Sequence, residues 1–160
     1  MLFFVCLPFG GPTNAEQTPE QTAEQSDIHI TITTHLGDDQ HFQSGDEISL
    51  LVDLDQDAYV LLIYQDAGGR LVKIFPTRNN DGWVTAGNFI PFPRRTDGLR
   101  LIVGPPFGKE YVWAFAAAEV FPGNLLQNIS NIATLRKLLQ DTGISFSVAR
   151  VRLTTHGNQS

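Results

Sequence analysis

Cysteine is nearly absent from this chain of 160 residues: Cys6 is the single one, and it lies in an apolar N-terminal stretch. A body without cysteine has no disulfide and no thiolate metal site. Exported domains also do without cysteine, so its absence does not assign the chain to a reducing compartment. Basic charge is thin as well. Eleven Lys and Arg stand against seventeen Asp and Glu, giving a net charge of −6 and a pI near 5.0. The cations are scattered, with Arg94-Arg95 the one dense spot. Binding to a phosphate backbone calls for a clustered basic face, so no nucleic-acid partner is expected. Two common catalytic signatures are missing too. There is no Gly-x-Ser-x-Gly elbow, and Gly104-Pro-Pro-Phe-Gly108 lacks the lysine and spacing of a phosphate loop. Neither a catalytic set nor a cofactor is expected, and the chain reads as a non-enzyme.

What is present is a core. A content of 42% hydrophobic and 10% aromatic residues is enough for one domain with a buried interior. From residue 27 the pattern has period two. Ile28, Ile30 and Ile32 alternate with His29, Thr31 and Thr33, and Ile48, Leu50, Val52 and Leu54 repeat the alternation. Ala58 to Tyr64 is apolar on both faces, as a central strand covered from both sides would be. Gln65-Asp-Ala-Gly-Gly69 turns the chain into a partner strand over residues 70–75, and further strands are expected at 99–103, 111–118 and 144–153. Ile129, Ile132, Leu135, Leu138 and Leu139 recur at helical spacing, with a stop at Gly143. The fold expected is mainly β: an immunoglobulin-like or transthyretin-like β-sandwich with one α-helix in its C-terminal half.

Residues 1–15 read as a secretory-signal-like apolar segment, too short to span a bilayer and without a positively charged start. Lipid attachment at Cys6 is the alternative, although Val5 is larger than the residue usual before a lipidated cysteine. Residues 16–26 repeat a Glu-Gln-Thr theme with no large apolar side chain, which predicts a disordered acidic linker. The sandwich is assigned to 27–154 and a flexible tail to 155–160.

Candidate chemistry is sparse. Asp53, Asp55 and Asp57 alternate like calcium ligands, but a loop starting at Asp53 would need Gly and Glu where Ala58 and Tyr64 stand. A solvated turn is the expectation. His29, His35, His41 and His156 show no pair at metal spacing, and Ser145 or Ser147 has no evident base. Asn128-Ile-Ser130 matches a glycosylation sequon. Trp83, Phe89, Phe92 and Phe107 fall in Gly- and Pro-rich segments, where they either plug the end of the sandwich or form a partner or ligand surface.

Phe42-Gln-Ser-Gly-Asp46, Ala58-Tyr-Val-Leu-Leu-Ile-Tyr64, Gly68-Gly-Arg-Leu-Val-Lys-Ile-Phe-Pro76, Ala86-Gly87, Ile90-Pro91 and Gly104-Pro-Pro-Phe-Gly-Lys-Glu-Tyr-Val112, in this order, resemble the bacterial family called domain of unknown function 4384. The resemblance implies a domain of exported, lipoprotein-like or multidomain proteins with no established catalytic residues. The expectation is therefore an exported, periplasmic or outer-membrane-associated module that binds or scaffolds an envelope protein. It would touch the membrane only through an N-terminal anchor. Two alternatives stand beside it: a carbohydrate- or peptide-binding domain, possibly enzymatic, lined by Trp83, Phe89, Phe92 and the Asp53 to Asp57 turn; and a lipid-anchored accessory subunit of a secretion or transport assembly.

Overall fold

The computed structural model describes residues 26–78, 80–125, 127 and 129–158. The apolar segment 1–15 with Cys6, residues 16–25 of the linker, and Asn128 of the sequon lie outside the described residues.

The strands are β1 (Ile30–Thr34), β2 (Gln40–Gln43), β3 (Glu47–Ile48), β4 (Leu50–Leu54), β5 (Ala58–Gln65), β6 (Leu71–Phe75), β7 (Trp83–Val84), β8 (Ile90–Phe92), β9 (Leu101–Ile102), β10 (Lys109–Ala117) and β11 (Phe146–His156), with helix α1 (Ile132–Asp141) before the last. The smaller sheet has the order β1-β4-β8. The larger runs β2-β11-β10-β5-β6, and β7 pairs with β5 ahead of β6. A short β3-β9 pair crosses one end. Two sheets facing each other across a shared core, with a helix inserted before the last strand, make the fold mainly β and sandwich-like.

Alternation along β5 explains the layering. Val60 and Leu62 join Ile30, Ile32, Leu50, Val52, Val112 and Ala114 in the core between the sheets. Leu61 and Ile63 face the other way, into a second core with Phe115, Phe146, Leu135 and Leu139 under α1. Each of these side chains is buried, and full burial of one such group stabilises the fold by about 1.5–3 kcal/mol. A strand apolar on both faces thus sits between the small sheet and the helix, as its sequence predicts.

The helix starts later than the apolar spacing suggests. Asn131 is extended and its Oδ1 accepts the Thr134 N–H at 2.9 Å, so the N-cap falls there and Ile129 packs on the second core from the preceding segment. Leu138 points outward and is 38% exposed, so Leu135 and Leu139 alone carry the buried helical face.

The expected flexible tail, 155–160, is corrected at its start. β11 continues through His156, Thr155 is buried, and the strand pairs in parallel with β2, with Thr155 opposite Phe42 and His156 opposite Gln43. At the other boundary the Ser26 and Ser147 hydroxyls lie 3.2 Å apart and Ser147 donates to the Ile28 carbonyl, which ties the chain down one residue before the expected start.

Candidate functional site

The four aromatic candidates do not form one surface. Phe92 is 3% exposed and packs edge-on against Phe75 at 5.5 Å between the sheets, so it is a core residue and not part of a partner surface. The alternation on β8 accounts for this, because Phe92 pairs opposite Leu50 at an inward position. Trp83 is on β7, 43% exposed, with its ring edge-on against Tyr59 at 4.9 Å. Phe89 lies on the following connection and is 59% exposed. Phe107, 38% exposed, sits against Gly157 on the loop before β10, where Gly108 approaches Ala67 of the β5–β6 hairpin. Trp83 pairs with Tyr59 at the start of β5, and the hairpin follows its end, so Trp83 and Phe107 are separated by roughly 20 Å at the rise of a strand.

The aspartates of the β4–β5 turn hold neighbouring backbone. Asp55 Oδ1 accepts the His29 N–H at 2.7 Å, and Asp57 Oδ1 accepts the Ala86 N–H at 2.8 Å. The second bond brings this turn against the segment between Trp83 and Phe89. Among the described residues, no group of three or more His, Cys, Asp or Glu could hold a metal ion.

One histidine pair escaped the sequence. The parallel register of β2 and β11 sets His41 opposite Thr154, two positions from the place opposite His156, and His41 Nδ1 lies 3.0 Å from His156 Nε2. The ring planes differ by 6° with centroids 5.3 Å apart, so the rings meet edge to edge with the two nitrogens in line. That geometry suits one proton shared between two nitrogens. Lone pairs converging on a metal would need the rings turned toward a common point. Nothing in a linear sequence announces a parallel pairing of residues 115 apart.

The most unusual buried group is at the hairpin end. Glu110 is 3% exposed, at the second position of β10, where it shares the inward face with Val112 and Ala114. Its Oε1 accepts the Thr155 hydroxyl at 3.0 Å, Thr155 accepts the Gly108 N–H at 3.1 Å, and Tyr64 of β5 donates its hydroxyl to the same carboxyl group. Burial holds Glu110 above the ordinary carboxylate range, against the pull of both hydroxyls and with a further push from Asp66. The Tyr64 phenol is raised well above its ordinary value, first by burial and then by Glu110. Asp66, also buried, is neutralised by Arg70, accepting its N–H at 2.8 Å and its Nε at 3.2 Å.

A carboxyl group that holds its proton more tightly folded than unfolded supports folding below the ordinary glutamate range, and that support fades as pH rises through its raised value. Glu110→Gln should remove this dependence. Urea midpoints measured from pH 4 to pH 8 are expected to fall more steeply with pH in the wild type than in the variant, and parallel profiles would contradict the assignment. The signal for Glu110 was in the sequence as a charged residue in phase with Val112, Ala114 and Ala116; starting the strand at Tyr111 placed it outside.

Residues 41–119 match the family model described as Domain of unknown function (DUF4384). No curated protein and no solved structure matches the chain. The matched span contains the small sheet's β4 and β8, the β5–β6 hairpin, Trp83 and Glu110.

Proposed function

With residues 41–119 forming a domain of that family, we propose that the protein is a non-catalytic module, exported to the bacterial cell envelope, that works by holding another protein. The observation that carries this is Trp83, a half-exposed indole fixed against Tyr59 on an edge strand. Rigid, partly exposed aromatic side chains are the groups on which protein interfaces concentrate their binding energy. Among the described residues neither β6 nor β7 has a strand on its outer side, so an extended segment of a partner can add to this edge beside the indole. The apolar run 1–15 and the polar stretch 16–26 support export and a tethered position, with Cys6 as the point of any lipid anchor.

The Asp57–Ala86 hydrogen bond favours a second reading for the same end, a peptide or carbohydrate held between Trp83, Phe89 and the aspartate turn. The two differ in what Trp83 touches. Residues 26–160 carrying a photoreactive group at position 89 should crosslink one envelope protein, and Trp83→Ala should cut the yield at least tenfold. Undiminished crosslinking in Trp83→Ala would overturn the proposed interface. Shifts at Trp83 on adding cell-wall fragments, with no crosslinked protein, would move the assignment to the small ligand.

A further inference from the structure

At the opposite end of β5 from Trp83, a cavity of about 170 Å3 lies between the sheets, walled by Ile48, Leu50, Leu101, Val103, Val112 and Leu153. Tyr64 and Glu110 supply its polar wall, and β9 crosses its mouth. That strand is held by two residue pairs with β3 and by the Arg100–Glu47 ion pair at 2.6 Å, and Ile102 on it is largely exposed. We propose that this cavity is a binding site for a small primary ammonium group carried on an apolar body.

Charge and volume both point to this ligand. A carboxylate has about four lone-pair directions; the Thr155 and Tyr64 hydroxyls use two, which leaves acceptor capacity for a further donor. Buried carboxylates ordinarily have a cation beside them, because leaving water is otherwise costly. Among the described residues Glu110 makes no ion pair. Arg100, the one cation on the cavity wall, gives its Nε and a terminal nitrogen to Glu47 at 3.1 and 2.6 Å, and Arg70 is spent on Asp66. The site therefore combines a buried carboxyl group that has no cation beside it with an apolar space of the size that holds a benzene ring, for which about 150 Å3 is enough. An arylmethyl or short alkyl ammonium satisfies both: its head replaces the missing cation and its body fills the apolar walls. A carboxylate ligand would meet Glu110 as an acidic group in an apolar wall.

The probes are benzylammonium, benzyl alcohol and benzoate, equal in body and different in head, each titrated into the full chain at pH 7.5 and followed by the amide shifts of Tyr64, Glu110 and Val112. Benzylammonium should bind at least tenfold more tightly than benzyl alcohol, and benzoate should give no shifts. Glu110→Gln should bring benzylammonium down to the level of benzyl alcohol while leaving the alcohol's affinity unchanged, which also shows that the cavity is intact. Should that variant fail to fold, Leu101→Trp keeps Glu110 and fills the mouth, and it should abolish binding of benzylammonium. Equal affinity for amine and alcohol, no binding of either, or ammonium binding that survives Glu110→Gln or Leu101→Trp would overturn the proposal. None of these outcomes involves Trp83, so this site stands or falls apart from the proposed interface.

Discussion

Phe115→Ala is expected to destabilise the protein by about 3–5 kcal/mol, read as a lowered urea midpoint with an unchanged slope. Phe115 has no exposed surface and lies under α1, its ring edge-on to Phe146 at 5.7 Å. Its neighbours on that side, Leu61, Ile63, Leu135 and Leu139, come from β5 and from the helix, two elements held at fixed separation by the sheet. Such walls collapse little into a void, so the loss combines transfer of the ring to water with an unfilled cavity. Val120→Ala, at a side chain that is mostly exposed, provides the comparison and should change stability by less than about 0.5 kcal/mol. A Phe115→Ala effect below about 1 kcal/mol would mean that α1 does not pack on the sheet as described.

The second large effect is at Gly82, just before Trp83. Its φ is +92°, and a Cβ placed there would lie 3.2 Å from the Val60 carbonyl oxygen and 3.4 Å from Pro76 Cγ. Gly69 of the β5–β6 hairpin has a similar φ of +87° but open space around the same position. Gly69→Ala should therefore cost only the left-handed backbone, about 1–2 kcal/mol. Gly82→Ala should cost more, about 3 kcal/mol, because the Val60 carbonyl is held in place through its own strand and cannot withdraw freely. The Val60 N–H donates to the Gly82 carbonyl at 2.8 Å, so a shift at Gly82 also loosens the strand that presents Trp83. Equal losses at the two glycines would show that the close approach is absent in solution.

The strands that could be read from the sequence are those with one strong periodic face. β1, β4 and β5 follow their alternation, and the Asp66 to Gly69 turn leads into β6 where expected. What could not be read depended on partners far along the chain. β2 is four residues with only Phe42 buried, and it is a strand because β11 supplies the other half of its ladder. β7, β8 and β9 are two or three residues each and carry no measurable period. The fate of Phe92 turned on the same point: beside prolines in a loop-like segment it resembled an exposed aromatic, and only the register opposite Leu50 turns it inward. For the site, Trp83 was visible as a residue but not as one fixed by Tyr59. Glu110 was hidden because one wrong boundary changed its apparent surroundings from core to turn, and its hydroxyl partners, Tyr64 and Thr155, are contributed by two other strands.

The parallel pairing of β2 with β11 has a mechanical side. Because the two strands run in the same direction, tension applied to the leading end of β2 and the trailing end of β11 pulls along the ladder from Gln40 opposite Leu153 to Gln43 opposite His156. The hydrogen bonds of that ladder are then loaded together in shear, whereas an antiparallel hairpin pulled at its open end is unzipped one bond at a time. Tension entering from the N-terminal side would first reach β1, which pairs with β4 and buries Ile30 and Ile32, and once β1 had come away the few residues of the β2–β11 ladder would carry the load in shear.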